Sequence, residues 1–315
     1  MAALALITPT WPTELWTESM RRAAPELDVR AWPALGDLAS IAYAAAWLPP
    51  LDVLRSFKGL KVIFSLGAGV DAILRDPSLP DGIPIVRVNE PDLTARMAAY
   101  VVLHVLMHHR QQRRVDENQR QRIWDSFATH APDELAIGIM GLGVMGKAAA
   151  ERLRDLDFKV AGWSRTRKRI AGVHCYAGPA EFDAFLHRTD ILVSLLPDTP
   201  ETRGIVNAGT IAKLSRRGPF GAPVFINAGR GPQQVEADLL AALDSGALHA
   251  ATLDVFETEP LPVESPLWSH PRVTLTPHLA ADSEPIKICN YIARQIRRFE
   301  AGEALENVVD RARGY

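Results

Sequence analysis

Three polar residues in the second half of the chain have the side-chain types of anion-binding and acid–base chemistry: Arg230 in INAGRG, Glu259 in DVFETEP and His278 in TPH. Singly, each has an ordinary reading as a surface arginine, an acidic loop before Pro260 and a histidine satisfied by backbone. Each, however, follows an apolar run that reads as a buried strand. Successive strands of an open α/β sheet turn their carboxyl ends to one edge, where such sheets bind ligands. An arginine, a carboxylate and a histidine would then meet at a single bound molecule.

The nature of that molecule is indicated by LAIGIMGLGVMG, Leu135 to Gly146. An apolar strand breaks into Gly141, Gly143 and Gly146, and a small-residue helix opening, KAAAERL, follows. This fits G-x-G-x-x-G, in which the first glycine allows a tight turn, the second lets backbone approach a pyrophosphate, and the third lets helix pack on strand. The helix N-terminus adds unpaired N–H groups and a positive dipole end. About twenty residues on, where an acid would bind the ribose 2′-hydroxyl of NAD, the chain reads GWSRTRKR. Ser164, Arg165, Thr166, Arg167 and Lys168 offer hydroxyls and cations there, with no carboxylate among them. Such donors suit a 2′-phosphate, so the expected cofactor is NADP(H).

The elements that must hold these residues are those of two doubly wound parallel sheets. Leu4–Thr8, Ile41–Trp47, Lys61–Gly67 and Ile83–Val88 are strand-like in the first part. The strand ending in Gly67-Ala68-Gly69 exposes consecutive N–H groups able to form an anion-binding nest, or simply turns into a helix. Asp92 to about Trp124 reads as one long helix or two stacked ones; its first half, MAAYVVLHVLM, is apolar nearly all round and suggests burial between domains. His104 and His108, at i and i+4, lack a third metal ligand and read as packing residues, so no metal is expected. The second sheet is expected from Leu135–Met140, Lys159–Ser164, Ile191–Pro197, Ala222–Gly229, His249–Phe256 and Val273–His278. A last helix, about Asp282 to Gly302, returns to the first domain. The expected division is 1–97 plus 281–315 for a flavodoxin-like substrate domain, with a Rossmann domain, 98–280, inserted.

At 315 residues and 47% hydrophobic composition, two well-formed cores are affordable, and 35 basic against 37 acidic residues give a net charge of -2. Neither nucleic acid nor an anionic membrane is an implied partner. Cys175 and Cys289 are far apart and outside any C-x-x-C spacing, so both are expected to be buried and reduced. The N-terminal MAALALITPTW has neither a basic start nor a long apolar run, which makes cytoplasm the expected compartment.

INAGRG, LDVFETEP and TPHLA, with GLGVMG before them and SLLPDTPETRGIVN between, resemble the D-isomer-specific 2-hydroxyacid dehydrogenases over nearly the whole chain. SLGAGVD, GWSRTRK, the text from Val235 to Gly246, SPLWSHPRVTLTPH and VDRARGY are further similar to the bacterial glyoxylate/hydroxypyruvate reductase A subgroup. The resemblance implies NADPH-dependent reduction of a small 2-oxo acid. His278 would be the acid, Glu259 would orient the imidazole and favour its protonated form, and Arg230 would bind the carboxylate and polarise the carbonyl. Leu66, Gly67, Ala68 and Gly69 would complete the carboxylate site, and Trp47 would line the pocket. The cofactor would meet Gly141, Leu142, Gly143, Val144, Met145 and Gly146, then Trp163, Ser164, Arg165, Thr166 and Lys168. Leu196, Pro197, Ala228 and Asp254, the last near the nicotinamide amide, would complete its contacts, while Asn227 shapes its loop. A homodimer is implied, with Trp124 reaching the partner. Two rivals are weighed. In 3-hydroxyacid dehydrogenases the glycine loop lies near the N-terminus, and a dinucleotide-sensing corepressor of the same fold would bind without turnover. A dehydrogenase for a bulkier 2-oxo acid is a further alternative.

Overall fold

The computed structural model describes residues 2–314; Met1 and Tyr315, the outer ends of the expected first domain, lie outside the described residues. In chain order the first elements are β1 (Ala3–Ile7), α1 (Thr13–Ala23), β2 (Asp28–Ala31), β3 (Ile41–Ala46), β4 (Val62–Ser65), α2 (Asp71–Leu74) and β5 (Ile85–Val86). Next come α3 (Pro91–His109), α4 (Gln112–Gln121), β6 (Ala136–Met140), α5 (Val144–Arg154), β7 (Lys159–Ser164), β8 (His174–Ala177) and α6 (Phe182–Leu186). The rest are β9 (Ile191–Ser194), α7 (Ala208–Lys213), β10 (Val224–Asn227), α8 (Glu236–Asp244), β11 (Ala250–Leu253), β12 (Val273–Leu275) and α9 (Pro285–Glu300). The chain divides into two compact units, Met1–Leu93 with Ser283–Tyr315, and Thr94–Asp282.

In the first unit the strands run parallel in the order β2-β1-β3-β4-β5. β1, β3 and β4 are buried at every position, which is why they are written as unbroken apolar runs: a parallel sheet covered on both faces has no wet side. α9 packs on α1, burying Ile288, Ile292 and Ile296 of the one and Trp16 and Met20 of the other. Its start is fixed locally. The Glu284 carboxylate accepts from the N–H groups of Ile286 and Lys287, and Pro285 occupies the first turn.

The second unit carries a seven-stranded parallel sheet, β12-β11-β10-β9-β6-β7-β8, whose order reverses between β6 and β9. Alternate residues of its central strands feed two cores. Ile137, Ile139, Val193 and Ile226 join Val101 and Val105 of α3 on one face. Met140, Leu192, Phe225 and Leu253 join Leu239 and Leu243 of α8 on the other. The carboxyl ends of β6, β9, β10, β11 and β12 therefore line one edge, and the reversal opens the sheet there.

Several sequence expectations need correction. β2 and β8 are absent from the expected strands, because each is an edge strand with little buried surface to write in apolar residues. The segment expected as one or two helices is two, divided at Gln111, whose φ of 52° lies in the left-handed region. On α3, Ala98, Val101 and Val105 enter the second unit's own core, while Leu103 is exposed. Cys289 is buried but Cys175, on the edge strand β8, is only half-buried; both are free thiols. Among the described residues, no helix is long and apolar enough to cross a membrane.

Candidate active site

β6 ends in a turn that only glycine takes easily: Gly141 has φ 98° and donates its N–H to the Trp163 carbonyl at 2.8 Å. A Cβ on Gly146 would lie 1.8 Å from the Gly141 carbonyl oxygen, so α5 can approach the turn only without a side chain there. Gly143 differs from both, since a Cβ built on it meets no protein atom within 4 Å. The second glycine thus faces open space at the N-terminus of an eleven-residue helix whose first turn carries no acid. A helix start of this kind can cradle a phosphate. Leu142 is buried over Gly162, Val144 is exposed and Met145 half-buried.

Beyond β7 the side chains divide into anchors and donors. Trp163 donates from Nε1 to the Gly178 carbonyl at 2.8 Å and packs on Phe182, and the buried Ser164 donates from Oγ to the Thr166 carbonyl at 2.8 Å. Arg165, Thr166 and Lys168 stand exposed. The sequence expectation of a turn without a carboxylate needs correction. Glu181, from the short turn before α6, pairs with Arg167 and accepts the Ala177 N–H at 2.7 Å. The Ala177 N–H, then Arg167, hold the Glu181 carboxyl below its ordinary range. Arg167 also donates to the Cys175 carbonyl, so it ties the turn down.

The loops after β9, β10 and β11 are bound to one another by buried amides. Asn227, fully buried, accepts the Gly229 N–H at 3.0 Å and donates to Arg230 O and Gln234 Oε1. Gln233 donates to the carbonyls of Leu196 and Pro197 and accepts from Ser194 Oγ, and Gln234 donates to Val255 O. A Cβ on Gly231 would sit 1.8 Å from the Phe256 carbonyl oxygen, so the backbones flanking Arg230 and Glu259 are in contact. Ala228 is buried beside this network. Arg230 itself donates from Nη1 to the Gly229 carbonyl.

His278 and Glu259 form the chemical centre of this edge. His278 Nδ1 lies 2.7 Å from Glu259 Oε2, and Glu259 Oε1 accepts the Phe256 N–H at 3.0 Å. Burial alone would push the Glu259 carboxyl up, but the His278 hydrogen bond and charge, the Phe256 N–H and the Arg230 charge outweigh it and hold it below its ordinary range. His278 takes a φ of 55°, uncommon for a residue with a Cβ, and its N–H donates to the Asp254 carbonyl. The Asp254 carboxylate is buried and accepts the N–H groups of Leu279 and Ala280. The arrangement can deliver a proton from an imidazole held by a carboxylate, next to a fixed cation.

In the first unit, Trp47 stacks on Trp11 with ring centroids 4.8 Å apart, and Trp11 stacks on Trp16 at 5.0 Å. A Cβ on Gly67 would lie 2.5 Å from the Trp47 ring, so glycine is what lets the indole lie against this turn. No residue from Leu66 to Gly69 takes a positive φ, and the Leu66 N–H is committed to the Ala46 carbonyl. The Gly67 N–H meets Ser65 Oγ at 3.3 Å.

Residues 102–280 match the family model for the D-isomer specific 2-hydroxyacid dehydrogenase, NAD binding domain. An NADPH-dependent glyoxylate/hydroxypyruvate reductase from Sinorhizobium meliloti, solved with NADP and sulfate, is 45% identical with 100% of both chains covered and a TM-score of 0.96. The chain belongs to the D-isomer specific 2-hydroxyacid dehydrogenase family. Two further members are similar over all of this chain. A probable 2-hydroxyacid dehydrogenase from Rhizobium etli, with NADP, HEPES and L(+)-tartaric acid, is 44% identical over 100% of its length at a TM-score of 0.93. One from Xanthobacter autotrophicus, with NADPH and MES, is 41% identical over 99% of its length at 0.93.

Within this dehydrogenase fold the sequence reading missed the side chains that hold the site. Gln233 and Gln234 follow Pro232 in an ordinary-looking loop, and Glu181 lies in a short segment before α6. Two adjacent polar residues between a strand and a helix were the only local sign. His104 and His108, expected as packing residues, each have a separate neighbour: His104 packs on Tyr100, and His108 meets Thr252 Oγ1 at 2.9 Å.

Proposed function

We propose that this chain reduces small 2-oxo acids, glyoxylate and hydroxypyruvate, with NADPH. The observation that carries the reading is the His278–Glu259 pair, 2.7 Å apart at the carboxyl edge of the sheet with the Arg230 charge acting on the same carboxylate. Family membership and the reductases with bound NADP or NADPH support it. The glycine cradle and the exposed Arg165 and Lys168 fit a dinucleotide carrying a 2′-phosphate. We assign cofactor binding to Gly141, Leu142, Gly143, Val144, Met145, Gly146, Trp163, Ser164, Arg165, Thr166, Lys168, Leu196, Pro197, Ala228 and Asp254.

Bound NADPH supplies the hydride that converts the substrate C2 from carbonyl to alcohol carbon. As that bond forms, the carbonyl oxygen gains negative charge and needs a proton. Glu259 engages Nδ1 of His278, so the proton delivered is the one on Nε2. Arg230 binds the substrate carboxylate and stabilises charge growing on the oxygen. In the first unit we assign Trp47 and the backbone of Gly67, Ala68 and Gly69 to the substrate. We assign the substrate role to residues 1–97 with 281–315 and the cofactor role to 98–280. Two free thiols fit a reducing cytoplasm. Trp124, 98% exposed, and the exposed Ile123 support a homodimer in which this apolar arm is covered by the partner.

The deciding experiment is an initial-rate assay with glyoxylate and hydroxypyruvate, each against NADPH and NADH. Fast NADPH oxidation with a weak NADH rate is expected. Equal rates would remove the cofactor preference alone. NADPH binding without turnover of either acid would remove the proposed reaction.

A further inference from the structure

The loop bearing His278 is tied to α3 by a run of hydroxyls that the reaction scheme above does not use. Thr276 Oγ1 lies 2.6 Å from Asp254 Oδ1, and Tyr100 Oη lies 2.7 Å from Thr276 Oγ1. The hydrogen-bond directions follow from chemistry. A carboxylate only accepts, so Thr276 spends its one proton on Asp254, and Tyr100 must donate to Thr276. Asp254 Oδ1 also accepts Leu279 N–H at 2.8 Å and Oδ2 accepts Ala280 N–H at 2.9 Å, while its carbonyl accepts the N–H of His278 itself.

Asp254 is 1% exposed and Tyr100 is 9% exposed, so this polar run lies inside the second unit. His278, itself exposed, is joined to it through its N–H on the Asp254 carbonyl and takes a left-handed φ of 55°. A residue with a Cβ holds that conformation where its surroundings over-determine it. The surroundings here are the Asp254 carboxylate and whatever keeps that carboxylate in place. On its far side, that is Thr276 and then Tyr100, whose ring is itself held against His104 at 4.2 Å. Burial pushes the Tyr100 phenol well above its ordinary range, so it remains a donor at every working pH.

We propose that Tyr100 and Thr276 are positioning residues for the reduction, their hydroxyl run from α3 to Asp254 setting the left-handed turn that aims His278. The inference rests on the reading of His278 as the acid.

The experiment compares Tyr100→Phe, Thr276→Val, Thr276→Ser and the Tyr100→Phe/Thr276→Val double variant in the full-length enzyme, with His278→Ala alongside. Each variant is assayed for kcat, KM and NADPH dissociation constant. Tyr100→Phe and Thr276→Val each lower kcat about tenfold, since small misplacements of a catalytic group are costly, with the NADPH dissociation constant within about twofold of wild type. Thr276→Ser, which keeps the hydroxyl, restores most of the rate. The double variant is no slower than the worse single one, because the run acts as a unit. Wild-type kcat in Tyr100→Phe and Thr276→Val, with His278→Ala inactive, would overturn the positioning role alone. Equal loss of NADPH affinity and kcat would assign the hydroxyls to the cofactor contact of Asp254 and overturn it too. Full activity in His278→Ala would overturn the acid assignment instead.

Discussion

The His278–Glu259 contact sets what each partner does when the other is changed. Replacing His278 with Ala removes the proton donor, and kcat for glyoxylate reduction is expected to fall at least about a hundredfold while NADPH binding changes little. Fluorescence titration of NADPH against the variant checks the second half. Glu259→Gln keeps a hydrogen-bonding side chain but removes the carboxylate charge beside the ring. The rate should fall roughly tenfold, read as kcat for glyoxylate reduction. A wild-type rate would mean that the carboxylate charge plays no part in the reduction. Arg230, Glu259 and His278 were readable in the sequence because each ends a strand motif. Asn227, Gln233 and Gln234 work through partners as far off as Leu196 and Val255, and no local pattern records such contacts.

At the scale of the element, the strand–turn–helix from β6 to α5 lets two glycines be told apart by experiment. Gly146→Ala places a methyl 1.8 Å from a backbone oxygen, and loss of the soluble fold or several kcal/mol of stability is expected. Gly143→Ala meets no protein atom within 4 Å, so its melting temperature should stay near wild type while NADPH binding weakens about tenfold or more. Unchanged NADPH affinity in that variant would take the phosphate away from this cradle. The element was legible because its whole logic lies in twelve consecutive residues. β8 was not, since HCYA pairs with β7 on one flank only and buries too little to be written in apolar side chains. The break between α3 and α4 was equally silent, because Gln111 gives no sign of its left-handed backbone.

For the whole molecule, the second unit buries rings that resist protonation. Burial lowers the affinity of His104, His108 and His249 for protons; in His108, pushed down to about 3, the charges of Arg113 and of the other two histidines add to it. The unfolded chain binds these protons near pH 6.5 and the folded chain does not, so stability is full above that pH and is lost as pH falls below it. Each ring can contribute a slope of up to about 1.4 kcal/mol per pH unit. Urea midpoints should therefore fall between pH 7 and pH 5, and less so in His108→Gln; a flat wild-type midpoint would refute this. Light scattering at the mass of one chain, 34.6 kDa, would exclude the proposed dimer. The two parallel sheets were legible from repeated strand and helix signals, since such alternation leaves few architectures. One feature of the first unit has optical consequences. Trp11, Trp16 and Trp47 lie face to face, so their electronic transitions couple and should give a circular-dichroism couplet in the far ultraviolet. Trp124, almost fully solvated, should dominate the red edge of the emission. Among its seven tryptophans the protein thus carries two distinct optical reporters, the stack in the first unit and the solvated Trp124 on the arm.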